Sequence, residues 1–389
     1  MKVQDFTPVA RGGATIRRVI VVLATSGLLV VTLLSEPATP AQLRCTWTTF
    51  QIPVFRDAAH PAVIGSVAAA SAGNAWASGF STNALSGRRQ ALMLHWNGAS
   101  WRVVRTPDPT HNFVGWVAAA DGQAWAVGRG SRGALTMHWN SKKRGWIVVP
   151  NAAPSGSSLT DLTISSADDV WATGFAKSGR PFVIRWNGKS WSIVEQPDFG
   201  DGSYASVGRI PGTGEVWIWG NDGASYGLAA ARWNSTAARW EKFALPVHGG
   251  GWTTTPRSIV ADSASSAWIA LTVDDGAGTN HPASLFWGGK TWAPVPMPNP
   301  DGNASLSGIA AARAGDIWTV GSSLTKSSKG RTRQSFVLHW DGSTWSNVGS
   351  PRHSTVLRTG LPVGLGGIAA TPGAGPVWVV GVTLDEYHC

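Results

Sequence analysis

The chain has 389 residues, of which 14% are charged, with 47 glycines, 23 tryptophans and a formal net charge of +10. So few charges leave little to solvate surface helices, while glycine and tryptophan suit short strands and tight turns, so an all-β class is expected. At this length two or three ordinary domains are the default, unless an internal repeat makes one large domain.

In chain order, residues 1–41 read as an export signal peptide. Arg11, Arg17 and Arg18 precede the uncharged, mostly apolar run 19–34, and Thr39-Pro40-Ala41 offers a small-residue cleavage site. The run is short for a membrane span, so cleavage is the first reading and a retained signal anchor the second. Without the segment's Lys2, Arg11, Arg17, Arg18, Asp5 and Glu36, the charge is +8. A basic exported domain, secreted or at the cell surface, favours acidic wall polymers, acidic glycans or anionic lipid surfaces over nucleic acid.

Next comes Cys45-Thr46-Trp47, running on to Pro53, which reads like Ala99-Ser100-Trp101 running on to Pro107. From there a unit recurs: a short apolar strand (a), a small turn, a Val/Ala-Trp strand often ending in Gly (b), a variable loop, a His/Arg-Trp-Asn-Gly segment (c), and a final Trp strand (d). The first tryptophan of the unit is at Trp76, Trp125, Trp171, Trp217, Trp268, Trp318 and Trp378, spaced 46 to 60 residues apart. The second, at Trp96, Trp139, Trp186, Trp233, Trp287 and Trp340, and the third, at Trp101, Trp146, Trp191, Trp240, Trp292 and Trp345, stop at six. That period is the size of a four-stranded propeller blade. Residues 45–389 are therefore expected to form a seven-bladed β-propeller of four-stranded blades. The chain stops after strand c of the last blade, at Tyr387-His388-Cys389, so the N-terminal strand is expected to complete that blade and close the ring. Cys45 and Cys389 then flank the join, and a disulfide between them would replace the missing turn, with two free thiols as the alternative.

The repeated tryptophans have a structural explanation first, as wedges between twisted blades. Trp116 and Trp219 read as core; Trp252 is left outside the pattern. His95, His138, His339 and His388 share one repeat position, filled elsewhere by Arg185, Arg232 and Phe286, which favours a structural role over a shared metal site. Asp198, Asp201 and Asp301 lack the spacing of a calcium loop and read as turn acids. No metal, cofactor or catalytic residue is assigned.

The b–c and d–a connections emerge on one face of such a disc and are the long, variable ones, so recognition is expected there. Arg88, Arg89, Arg129, Arg132, Lys177 and Arg180 make a basic arc over blades 1 to 3. Blades 4 and 5 place Asp222, Asp274 and Asp275 in these loops, near Tyr204, Tyr226 and Trp252. Aromatic rings stack on a sugar's apolar face while carboxylates accept its hydroxyl hydrogen bonds, which points to a glycan-binding patch.

The unit is similar to the Trp-rich β-propeller repeats of exported bacterial proteins, actinobacterial ones in particular, of the kelch or galactose-oxidase-like kind or the Asp-box sialidase-like kind. The residues that carry this are Asp169-Val170-Trp171-Ala172-Thr173-Gly174 and Arg185-Trp186-Asn187-Gly188-Lys189-Ser190-Trp191, and the likeness covers residues 45–389. It implies architecture, not activity, because propellers host unrelated functions. Asp341-Gly342-Ser343-Thr344-Trp345 has one residue fewer than an Asp-box, and the three tyrosines, Tyr204, Tyr226 and Tyr387, do not furnish a sialidase or copper-radical site. The expected function is a noncatalytic, monomeric extracellular or cell-surface binding scaffold whose partner is a glycan, an acidic cell-wall polymer or a surface protein. A propeller hydrolase or oxidase is the alternative.

Overall fold

The computed structural model describes residues 47–48, 50, 62–82, 89–107, 113–120, 122–197, 199, 202–221, 227–246, 258–300, 302–327, 330–349, 354–356, 364–373 and 375–382. Among them the architecture is all-β, a propeller of antiparallel sheets in which, one strand of blade 6 excepted, each strand pairs with its neighbour in sequence. Blade 3 shows the pattern: strand a is Ser158–Ser166, b is Asp169–Phe175, c is Pro181–Trp186 and d is Trp191–Val194. Blades 1, 2, 4, 5 and 6 repeat it over 62–104, 113–148, 203–244, 258–295 and 303–347. In blade 6 a fifth strand, Ser354–Val356, pairs with strand c through Thr332, Arg333 and Gln334.

The expected count of seven four-stranded blades is corrected to six. Among the described residues the seventh repeat is a two-stranded sheet of Gly364–Ala370 and Val377–Val382, set between the inner strands of blades 6 and 1. The described residues of the expected closing strand, Trp47, Thr48 and Phe50, belong to no strand. The physical reason is that a strand d needs a strand c to pair with, and this sheet has none among the described residues. Side chains make the contact instead. Trp47 packs with Trp318 against Ala310, Val320, Val337 and Ile368, and the Phe50 ring lies 4.8 Å from Trp96 and 5.7 Å from Trp378. Cys45 and Cys389 lie outside the described residues.

The cohesion between blades comes from the tryptophans. The first tryptophan of each of blades 1 to 5 enters the next blade and meets that blade's second and third: Trp76 meets Trp139 and Trp146, Trp125 meets Trp186 and Trp191, and Trp171 meets Trp233 and Trp240. Trp217 meets Trp287 and Trp292, and Trp268 meets Trp340 and Trp345. Trp378 of the two-stranded sheet carries the rule across the join to Trp96 and Trp101 of blade 1, at 5.1 and 5.4 Å. Centroids at these separations with steeply inclined planes are the favoured edge-on geometry for aromatic pairs. Trp219 is fully buried in the cluster shared by blades 4 and 5, and Trp116 is half-buried against that of blade 3.

Strand a carries a one-residue irregularity of register in blades 1, 2, 3, 4 and 6, where two of its residues face one of strand b. This explains the glycine that ends the Val/Ala-Trp strand. The bulge drives a strand-a carbonyl into the space a side chain would fill: a Cβ on Gly174 would stand 2.2 Å from Ser158 O, and one on Gly79 would stand 1.8 Å from Val63 O. Gly174→Ala is accordingly expected to lower stability by about 1–3 kcal/mol, as overpacking does. A thermal melt coinciding with that of the unaltered protein would show the approach to be looser than this.

The bulge also presents the residue after it to the next blade. Ser66 Oγ accepts the Val117 N–H, Asp161 Oδ2 accepts the Val207 N–H, and Ser206 Oγ accepts the Ile259 N–H. Thr163 Oγ1 accepts from Arg209 N–H with the same offset in sequence as the Asp161 contact, so these neighbouring inner strands run parallel and their blades share one orientation. All b–c and d–a connections thus share one face, and all a–b and c–d turns the other.

Candidate functional site

On the long-connection face, Arg129 and Arg132 lie at the b–c connection of blade 2, and Lys177 and Arg180 at that of blade 3. All four are exposed, and none has an ion-pair partner. The two connections are linked: Gly133 bridges to Ser155, and the aliphatic stem of Lys177 lies over Gly156. Arg89 begins strand c of blade 1. Its side chain, and residues Arg88, Asp222, Tyr226 and Trp252, lie outside what is described. Tyr204 corrects an expectation. It sits in strand a of blade 4, only 2% exposed, edge-on to Phe199 at 5.4 Å and donating its hydroxyl to Pro197 O at 3.0 Å. Strand alternation turns this ring into the core, where no sugar can stack on it.

The structure builds a polar cluster around the two remaining acids. The tight 274–279 connection of blade 5 is closed by Asp275 N–H donating to Thr279 O at 3.0 Å. Asp274 Oδ1 accepts from Gly276 N–H at 2.7 Å, and Asp275 Oδ1 from Ala277 and Thr279 N–H at 2.8 and 3.1 Å. These backbone donors hold the exposed Asp275 carboxyl below its usual range, so it is ionised at neutral pH. Its second oxygen faces His281 Nε2 at 3.4 Å, and His281 Nδ1 accepts from Asn299 Nδ2 at 2.7 Å. Asn303, opening strand a of blade 6, accepts from Asn280 N–H at 3.2 Å and donates to Gly278 O at 3.3 Å. One carboxylate, one imidazole and one amide thus meet at the surface from three stretches of chain. Sequence reasoning missed His281, Asn299 and Asn303; the signal available was a Gly-rich acidic turn followed at once by a histidine.

The recurrent histidines and arginines of strand c are structural. Four of them lie on the first tryptophan of their own blade: His95 on Trp76 at 4.1 Å, His138 on Trp125 at 4.5 Å, the Arg185 guanidinium over Trp171 at 4.7 Å, and His339 on Trp318 at 4.1 Å. Each also bonds to the acceptor near the start of strand b, and charge is matched to charge. His95 and His138, held neutral because burial lowers their pKa, bond to the amides of Asn74 and Gln123. Arg185 and Arg232 bond to the carboxylates of Asp169 and Glu215. His339 bonds to Asp316. Among the described residues no three His, Cys, Asp or Glu side chains converge to hold a metal.

Asp341, the residue of the Asp-box resemblance, likewise closes a turn. Its Oδ1 accepts from the N–H groups of Ser343 and Thr344 and from Ser343 Oγ, which takes its pKa down to about 2. Asn97, Asn187 and Asn234 close the equivalent c–d turns of blades 1, 3 and 4 in the same way.

No protein-family model matches the chain, and no curated protein matches its sequence. Solved structures match in fold. YCF48 from Cyanidioschyzon merolae is 16% identical over 87% of this chain and 97% of that one, with a TM-score of 0.52. Looser likenesses are the SapL1 lectin in complex with alpha methyl fucoside (12% identity, 82% and 88% coverage, TM-score 0.44) and a subtype N11 neuraminidase-like protein of A/flat-faced bat/Peru/033/2010 (10%, 73% and 89%, 0.48). The YCF48 likeness shows a shared propeller fold; at the level of sequence nothing ties the chain to kelch or actinobacterial families.

Proposed function

We propose that this protein is a noncatalytic binding scaffold, secreted or at the cell surface, whose long-connection face takes a glycan at the Asp275–His281–Asn299 cluster. The observation that carries this reading is the cluster itself: an exposed, ionised carboxylate, an imidazole and a carboxamide gather on one patch, the mixture of acceptors and donors that sugar hydroxyls require. Hydrolysis at the same place is disfavoured by its wiring. Both ring nitrogens of His281 are engaged, one toward Asp275 and one by Asn299, so neither is left to take a proton from a nucleophile. The unpaired Arg129, Arg132, Lys177 and Arg180 favour a second reading, in which an acidic polymer or the acidic surface of a protein docks on blades 2 and 3.

The test is a saccharide screen followed by titration of His281→Ala combined with Asn299→Ala. Removing the imidazole that holds the Asp275 carboxylate in place, together with the Asn299 carboxamide, is expected to weaken binding about tenfold, with the sugar recovered intact. Unchanged affinity, or recovery of a cleaved sugar, would overturn the proposal.

A further inference from the structure

The short-turn face carries a charge pattern that loop length had hidden. Its c–d turns present Lys142, Lys143 and Arg144 from blade 2, Lys189 from blade 3, Arg239 from blade 4 and Lys290 from blade 5, all exposed and without an ion-pair partner. Of the nearby acids, Asp169 and Glu215 are paired with Arg185 and Arg232. Asp262 and Glu241 are half-buried and bond to the Gly315 N–H and to Asn234 Nδ2, so they keep their charge but pair with none of these cations. Asp168 is the exposed acid left on the turns of blades 2 to 5 among the described residues.

The platform under these cations is rigid. Lys143 N–H bonds to Asn140 Oδ1, Lys189 N–H to Asn187 Oδ1, and Ala237 N–H to Asn234 Oδ1, so the turns of blades 2, 3 and 4 are closed by their own first side chains. Arg144 and Ala238 hold left-handed backbone at φ 49°, which fixes where the cationic side chains leave the longer turns. Within a blade, the a–b and c–d turns abut, with Ser265 against Gly289 and Asp168 against Gly188. The cations stop at the ends of the arc: blade 1 turns through Asn97-Gly98-Ala99-Ser100 and blade 6 through Asp341-Gly342-Ser343-Thr344.

We infer that this arc is a docking track for an extended polyanion, a phosphate- or carboxylate-bearing chain lying across blades 2 to 5, on the face opposite the glycan cluster. One cationic turn per blade along a curve fits a linear polymer, whose charges repeat along its length. A flat anionic membrane would instead call for cations around the whole disc and apolar anchors between them. The large apolar residues exposed among those described are Phe50, Val103, Phe113, Val148 and Ile193, none of them on these turns. Each exposed cation contributes little by itself; the affinity is collective and falls with added salt.

The test uses the whole exported domain, inorganic polyphosphate as ligand, and low salt. K143Q, K189Q, R239Q and K290Q together are expected to weaken binding about tenfold, while R102Q with R105Q, two exposed cations of blade 1 outside the arc, changes it less than about twofold. All six side chains are exposed, so both variants should retain the melting temperature; if the first does not fold, K189Q with K290Q is expected to give about a threefold loss. Equal loss in both variants, no loss in the first, or binding to phosphatidylglycerol vesicles without binding to polyphosphate would overturn the inference. Because saccharide binding is read on the other face, its failure and the failure of this track are distinguishable.

Discussion

Trp171→Ala is expected to cost the propeller about 3–5 kcal/mol, the range for deleting a large buried ring. The side chain is 0% exposed and lies 5.4 Å from Trp233 and 5.8 Å from Trp240, both in the next blade. Alanine there leaves a cavity in the seam between blades 3 and 4, walled by strands whose hydrogen-bond ladders resist collapse. It also strips the Arg185 guanidinium of the ring beneath it, leaving the Asp169 pair to hold that side chain. Urea denaturation reads the loss as a lower midpoint. A loss below about 1 kcal/mol, the level of an exposed substitution, would show that the seams do not rest on these wedges.

The second large effect is a dependence on pH. Asp161, in strand a of blade 3, is dehydrated between blades, which pushes its carboxyl up from 3.8 to about 6 despite the hydrogen bonds it accepts from Ser206 Oγ at 2.6 Å, Val207 N–H at 3.0 Å and Leu162 N–H at 2.8 Å. Because the folded protein holds this proton more tightly than the unfolded chain, stability is highest below the unfolded value and declines as pH rises from about 4 through about 6. A shift of that size corresponds to at most about 3 kcal/mol. Asp161→Asn keeps an oxygen acceptor for Ser206 and removes the titration. Its unfolding free energy should therefore change less between pH 4 and pH 7 than that of the unaltered protein. Equal changes in the two proteins would locate the dependence elsewhere.

The repeat was legible because a tryptophan wedge recurs wherever one twisted sheet meets the next, and the first series also marks the seventh repeat at Trp378. Completeness of that repeat was not legible. Alignment assigns strands to both chain ends, whereas among the described residues there Trp47 and Phe50 contribute rings without a ladder. Tyr204 falls near the loops of the long-connection face in sequence, but it lies in a strand whose alternation buries it. The glycines of strand b were visible, but their cause is a register shift in the partner strand, which no single strand reveals. His281, Asn299 and Asn303 come together only once the b–c connection, strand c and the d–a connection of blade 5 are folded against blade 6. The cationic turns of blades 2 to 5 are visible in the sequence, but a short turn reads as structure and a long connection as recognition.

The most direct test of the glycan-binding account is hydrogen–deuterium exchange with and without a saturating saccharide from the screen. Binding at the proposed cluster predicts slowed exchange in peptides spanning 274–281 and 299–303, with the inner strands of blades 1 and 2 unaffected. Slowed exchange confined to inner strands, which would put the ligand at the ring's axis and leave the Asp275 turn untouched, would contradict it.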